Sequence, residues 1–137
     1  MTALRTHPAI FIPAMDHDRL LAMAEITARS APQVAKFLMH ELDRSSTKAS
    51  GPEEDIVKME SHVRFRDEST GCDREIQLVY PDKADPAAGR ISILTPVGTA
   101  LIGLSKGQSM PWNDHNGKRK SLTVLDVRNV SEAVTKQ

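Results

Sequence analysis

Two rhythms divide the chain near residue 50. Before it, apolar side chains recur at helical steps; after it, they alternate with polar ones. Leu20, Met23, Ala24 and Thr27 fall on one helical face, and Val34, Phe37, Leu38 and Leu42 make a second stripe. Asp16 is the expected N-cap of the first helix, with Asp18 in its first turn, where the helix dipole favours acid. Glu25 and Arg29 are spaced as an i,i+4 ion pair. Ser30-x-x-Gln33 reads as a capping box for the second helix. Pro32 is tolerated in that first turn because its missing N–H would be unbonded there. Helices of about 13 residues are marginal alone. So short a connection makes them antiparallel neighbours that stabilise one another. The apolar run AIFIP, residues 9–13, predicts either an edge strand or a segment packed beneath the first helix, and residues 1–8 look loose.

Residues 45–55 are a polar linker with Gly51-Pro52 as its breaker. Past it, Val63 and Phe65 alternate with His62, Arg64 and Arg66, then Ile76, Leu78 and Tyr80 with Glu75, Gln77 and Val79. DESTG, residues 67–71, forms the turn of this hairpin. A longer loop, PDKADPAAG, leads to a third strand at Ile91 and Ile93. Met110 and Trp112 mark a fourth strand, and DHNG (114–117) turns into a fifth at Leu122, Val124 and Val127 or Val130. The tail from Ser131 is polar and expected to fray. Between the third and fourth strands lies TPVGTALIGLSKGQ, residues 95–108. Pro96 ends a strand here, residues 97–102 form a short helix, and Gly103 caps it in the left-handed conformation. Ala100, Leu101 and Leu104 face the core, and Gly107 turns the chain. The order is α+β: a helical hairpin over residues 1–50, then a small antiparallel sheet domain over 51–137.

Composition narrows the functions. With 18 basic and 18 acidic residues the net charge is zero, so no global field holds the chain on nucleic acid or an anionic membrane. No apolar run reaches ~18 residues, and the N-terminus lacks a secretory apolar centre. A cytoplasmic protein is the simplest reading. Cys72 is the single cysteine, which excludes an internal disulfide, and it reads as an incidental thiol in a turn. His7, His17, His40, His62 and His115 share no zinc-ligand spacing, and GLSKGQ lacks the glycine spacing of a phosphate-cradling loop. Glu53, Glu54 and Asp55 read as a solvated acidic run rather than an acid–base pair. Arg64, Arg66 and Arg74 lie along one hairpin, as a basic face or, more simply, a solvated one.

GRISILTPVGTALIGLSKGQ, residues 89–108, resembles the signature of the C-terminal domain of the bacterial GreA/GreB transcript-cleavage elongation factors: a strand, a Ser-Pro step, a short A-L-L-G helix, then K-x-G-D. VRFRDESTGCDREIQLVYPDKAD, residues 63–85, resembles the first hairpin of that domain. IFIPAMDHDRLLAMAE (10–25) and VAKFLMHELDRS (34–45) resemble the family's short-stalked branch, the regulators of nucleoside diphosphate kinase. The resemblance implies an FKBP-like sheet-and-helix domain carrying a helical hairpin. It implies binding to RNA polymerase near the secondary channel and an effect on nucleoside diphosphate kinase that is direct or transcriptional; no cofactor is expected for this chain.

Two departures shape the expectation. Gre factors carry acids at the hairpin tip that hold a catalytic magnesium, and two-metal chemistry needs such oxygen ligands. Here the tip, TARSAPQV (27–34), has no carboxylate, so transcript cleavage is not expected. The family also tends to place an acid before the Ser-Pro step, whereas this chain has Leu94-Thr95-Pro96. Pro96 keeps the motif, Thr95 keeps the hydroxyl, and Leu94 replaces the charge with apolar surface. These three residues are the candidate polymerase-binding lip. Gln108 stands where the family usually has Asp. One enzymatic alternative is a prolyl isomerase, which needs a deep apolar pocket lined by several aromatics, drawn from Phe11, Phe37, Phe65, Tyr80 and Trp112. Another alternative is a module that binds the kinase directly.

Overall fold

The computed structural model describes residues 8–48, 51–113 and 116–129. The expectations for residues 1–7, for Asp114 and His115 of the DHNG turn, and for Val130 and the tail lie outside these. Helix α1 spans Ala14–Thr27 and α2 spans Pro32–Arg44. His17 near the start of α1 reaches the Leu42 carbonyl oxygen near the end of α2, its Nε2 3.0 Å away, so the helices run antiparallel. Leu20 and Ala24 of α1 and Leu38 and Leu42 of α2 are buried. Burial of each leucine is worth about 1.5–3 kcal/mol, more than the propensity of either short helix supplies.

The helix starts differ from expectation. α1 begins at Ala14 after Pro13, and Asp16 lies within its first turn rather than capping it. α2 begins with Pro32 after Ala31, with no side-chain cap, so the Ser30–Gln33 box does not form. The fixed φ of Pro32 suits the first helical position and sets the start without Ser30. Arg29 lies past the end of α1 at Thr27, which removes the helical geometry its pairing with Glu25 required.

The sheet is made by β1 (His62–Asp67), β2 (Cys72–Val79), β3 (Arg90–Ser92), β4 (Ser109–Asn113) and β5 (Arg119–Arg128), in the order β3-β2-β1-β5-β4. Val63 and Phe65 of the central strand β1 point to the core while Arg64 and Arg66 face solvent. Against β5 the register shifts between Arg64 and Phe65, leaving Leu125 as the extra residue of a bulge. Such a bulge bends its strand and adds twist to the sheet. One feature corrects the antiparallel sheet read from the sequence: β3 pairs with β2 in parallel, Leu78 opposite Ile91. The connection over residues 80–89 holds two single-turn 3-10 helices, Pro81–Lys83 and Pro86–Ala88. It carries the chain back along β2 before β3 begins, as a parallel neighbour requires.

A short helix, α3 (Pro96–Leu101), follows β3 and buries Gly98, Thr99, Ala100 and Leu101. The apolar run 10–12 is fully buried. It lies between the two halves: Phe11 N–H donates to the Gly103 carbonyl at 3.1 Å, and Ile12 N–H donates to that of Ser46 at 2.9 Å. Gly103 has φ +83°, and a Cβ there would sit 2.9 Å from Ile10 Cβ. Only glycine meets both demands. Helices and sheet thus share one apolar core, from Ile10 and Leu38 through Val63 and Leu101 to Val124.

Arg44, ion-paired within α2 to a buried carboxylate, ties the hairpin to that core. Glu41 is 1% exposed, and Arg44 donates to its Oε1 from Nε at 3.0 Å and Nη2 at 2.8 Å. The same guanidinium donates to the Pro8 carbonyl and contacts Met110 Sδ of β4. The two donors to one carboxylate oxygen satisfy a charge that burial alone would expel. Among the described residues no helix is long and apolar enough to cross a membrane.

Candidate functional site

Leu94, Thr95 and Pro96 sit where β3 hands over to α3, and the local chemistry fixes their shape. Thr95 N–H donates to the Ser92 carbonyl at 3.1 Å. The Thr95 hydroxyl donates to the same carbonyl at 2.8 Å and accepts from Gly98 N–H at 3.1 Å. It is therefore the N-cap of α3, and Pro96 takes the first helical position. Thr99 is buried and donates through its hydroxyl to the Ile93 carbonyl at 2.7 Å. Leu94 is half-buried against the core. Hydrogen bonds to Ser92 and Gly98 thus shape the lip.

Two clefts open on either side of that lip and share Thr95, Pro96 and Trp112 as a common wall. The larger, of about 550 Å³, is closed on its other side by Val34, Phe37 and His40 of α2 and carries Pro111 and Arg119 at its rim. The smaller, of about 320 Å³, lies over β1 and β2 and is lined by Phe65, Ile91 and Val97 with Arg74, Lys120 and Asp67. Lys120 Nζ lies 5.7 Å above the Trp112 ring, a cation–π distance, and 3.9 Å from Asp67. The Asp67 carboxyl is held below its usual range, chiefly by the Ser69 hydroxyl donating to it.

The three arginines of the hairpin do not share a face. Arg64 and Arg66 pair with Asp73 on the solvent side, at 3.7 and 2.9 Å. Arg74 stands opposite Phe65 in the strand register and so projects to the other side, where it lines the smaller cleft beside the lip. The aromatics are also dispersed. Phe37 and Trp112 meet at one cleft and Phe65 and Trp112 at the other, while Phe11 packs under Lys58 and Tyr80 under Arg19. Glu53–Asp55 form a 3-10 turn, with Glu53 paired to Lys58 at 3.1 Å. Among the described residues no group of three or more His, Cys, Asp or Glu could hold a metal ion. Cys72 is exposed at the start of β2.

Gln108 closes the turn after α3: its Oε1 accepts from Ser105 N–H at 2.8 Å, and its Nε2 donates to the Ala9 carbonyl at 3.2 Å. An aspartate there could not make the second bond, so the amide tethers the N-terminal apolar run. Near the start of α1, burial pushes the Asp16 carboxyl up, opposed by the charges of Arg19 and Lys58. Burial likewise raises the Tyr80 hydroxyl. Sequence reasoning missed the part α2 plays in the larger cleft. The helical stripe places Phe37 between the helices, whereas in the fold it is half-exposed and lines the larger cleft with Thr95 and Pro96.

A two-helix hairpin on a five-stranded sheet whose third strand runs through a proline-started helix defines an architecture shared with known bacterial proteins. Residues 52–129 match the family "Transcription elongation factor, GreA/GreB, C-term", and residues 8–46 match "Rnk N-terminus". The chain belongs to the GreA/GreB family of transcription elongation factors. Within it, the chain is 37% identical over 131 residues to the "Regulator of nucleoside diphosphate kinase" of Escherichia coli (strain K12), covering 93% of this chain and 95% of that protein. The "Transcription elongation factor GreA" of Azorhizobium caulinodans is 45% identical over 74 residues, 54% of this chain and 46% of that one. Among solved structures, a "Prokaryotic transcription elongation factor GreA/GreB from Nitrosomonas europaea" superposes with a TM-score of 0.66 at 35% identity, covering 88% and 98% of the two chains.

Proposed function

We propose that the protein is a non-catalytic regulator of transcription that docks on RNA polymerase near its secondary channel. Residues 51–137 act as the FKBP-like docking domain and residues 1–50 as a short hairpin. The observation that carries this reading is the family match joined to the composition of the hairpin tip. The connection between α1 and α2, residues 28–31, is Ala-Arg-Ser-Ala and offers no carboxylate for a catalytic metal. The docking surface in this reading is the lip of Leu94, Thr95 and Pro96. The protein occupies the polymerase site of a cleaving factor without supplying its chemistry, and the influence on nucleoside diphosphate kinase runs through the kinase's message.

Core polymerase pull-down with increasing amounts of a GreA protein tests the reading. Mutual displacement, with no shortening of stalled transcripts by this chain, is the expected result. Absence of binding at about 10 µM, a weak affinity for a specific protein pair, would overturn the reading. Co-purification of the kinase without a change in its message would replace the transcriptional route by direct contact.

A further inference from the structure

The chain has three asparagines, Asn113, Asn116 and Asn129, and the fold treats them differently. Asn113 ends β4, where it pairs with Arg119, and Asp114 follows it in sequence. Asn129 is held at both atoms of its amide. Its Oδ1 accepts from the Ser61 hydroxyl, and its Nδ2 donates to the carbonyls of Glu53, Glu54 and Ile56 at 3.3, 3.3 and 3.2 Å. The residue after it, Val130, is β-branched. Asn116 is exposed in the turn from β4 to β5, and the residue after it is Gly117. That glycine is itself exposed, with φ +78° and nothing within 4 Å of the place a Cβ would take.

The difference has a chemical consequence. The side-chain amide carbon of an asparagine lies one five-membered ring away from the backbone nitrogen of the next residue. When that nitrogen gives its proton to solvent hydroxide it attacks: the N–Cγ bond forms, the Cγ–Nδ2 bond breaks, and ammonia leaves. Water then opens the cyclic imide at either carbonyl. The products are aspartate and isoaspartate, in which the main chain runs through Cβ. Solvent supplies every co-reactant. The ring closes where the backbone can turn into it and the next side chain does not stand in the way. Gly117 meets the second condition, and an exposed turn meets the first because such tips open at little free-energy cost. Strand pairing at Asn113 and the four hydrogen bonds of Asn129 withhold that freedom.

We propose that Asn116–Gly117 is a self-modification site, at which the folded protein loses ammonia and places an aspartate or isoaspartate carboxylate in the β4–β5 turn. The amide is neutral, so the formal net charge goes from zero to one negative. The new charge stands directly before Lys118, Arg119 and Lys120, three consecutive basic residues. The isoaspartate form also adds a main-chain carbon to the loop that the Asn113–Arg119 pair closes. That form is a substrate for one class of partner, a methyltransferase that esterifies isoaspartyl carboxylates. None of this depends on docking to polymerase.

The full chain, warmed at neutral pH, is digested and read by mass spectrometry. Asn116 is expected to take on the mass of an acid before Asn113 or Asn129, and faster at higher pH. Its rate should stay within about tenfold of that in a free peptide of residues 110–122, because a turn tip is nearly as open as the unfolded chain. The aged fragment should accept a labelled methyl group from an isoaspartyl methyltransferase supplied with S-adenosylmethionine. Asn116→Gln, whose amide must close a larger and slower ring, should stay unmodified. Its side chain is exposed, so the variant should keep the wild-type circular dichroism spectrum. Conversion of Asn113 or Asn129 ahead of Asn116, or a folded-state rate at Asn116 below that tenfold window, would overturn the proposal. Acid mass at Asn116 without methyl acceptance would do the same, since it would mean direct hydrolysis of the amide rather than ring closure.

Discussion

Gly98 lies in the middle of α3, where glycine ordinarily costs helix stability, yet a Cβ there would collide with the Ser92 carbonyl and lie 3.1 Å from Ile93 Cα. The helix presses on the end of the strand that precedes it, and only a hydrogen fits between them. Gly98→Ala should therefore cost about 1–3 kcal/mol through overpacking, against a gain of up to about 1 kcal/mol from helix propensity, read as a lower urea midpoint. A midpoint at or above wild type would mean α3 stands off the strand. Asp16 supplies the second test at this scale. Its folded pKa is raised above the ordinary 3.8 by burial, so the native state holds the proton more tightly than the unfolded chain. Its contribution to stability is then full below the ordinary value and falls as pH rises through the raised one. Asp16→Asn removes that dependence. Relative to wild type, the variant should gain stability as pH rises above the ordinary carboxylate value of 3.8, and a stability difference independent of pH there would reject the burial argument.

At the scale of elements, α2 starts on Pro32 with Ala31 at its N-cap position. A capping side chain is missing where one could act. Ala31→Ser should raise stability by about 1 kcal/mol by giving the first-turn N–H groups an acceptor, whereas Ser30→Ala should change it by less than about 0.5 kcal/mol. The opposite ranking in thermal melts would restore the Ser30 box. The start of α2 was legible in the sequence to within a residue, because proline announces it. The residue that caps it was not, since Ser30 and Ala31 differ only in which one the preceding turn leaves extended. The hairpin β1–β2 was legible from its alternation except at its end, where Val79 is buried rather than polar-facing and Tyr80 lies past the strand. The parallel placement of β3 was not, because three residues of pattern carry no direction and the two 3-10 turns that set it have no apolar period.

At the scale of the molecule, helices and sheet bury one another. Ile10 and Ile12 pack between them, and Arg44 holds Glu41, Pro8 and Met110 together. Hairpin and sheet should therefore unfold as a single cooperative unit. Helical circular dichroism at far-ultraviolet wavelengths and Trp112 fluorescence from the sheet should give coincident urea transitions. Separate midpoints would show that the hairpin melts independently and that the shared core contributes little to it.

The sequence by itself determined the periods: two amphipathic helices, alternating strands, and a short helix between Pro96 and Gly103, since each follows from how neighbouring side chains divide between core and water. It also determined the candidate lip, because Leu94, Thr95 and Pro96 are contiguous. Only the tertiary structure decided what stands across from that lip. Phe37, Arg74, Trp112 and Arg119 come from four elements, and their meeting depends on strand order, on the side to which Arg74 projects from β2, and on Arg44 reaching from α2 to the Pro8 carbonyl and to Met110 of β4. Those are long-range contacts, and no local pattern of hydrophobic and polar residues encodes them.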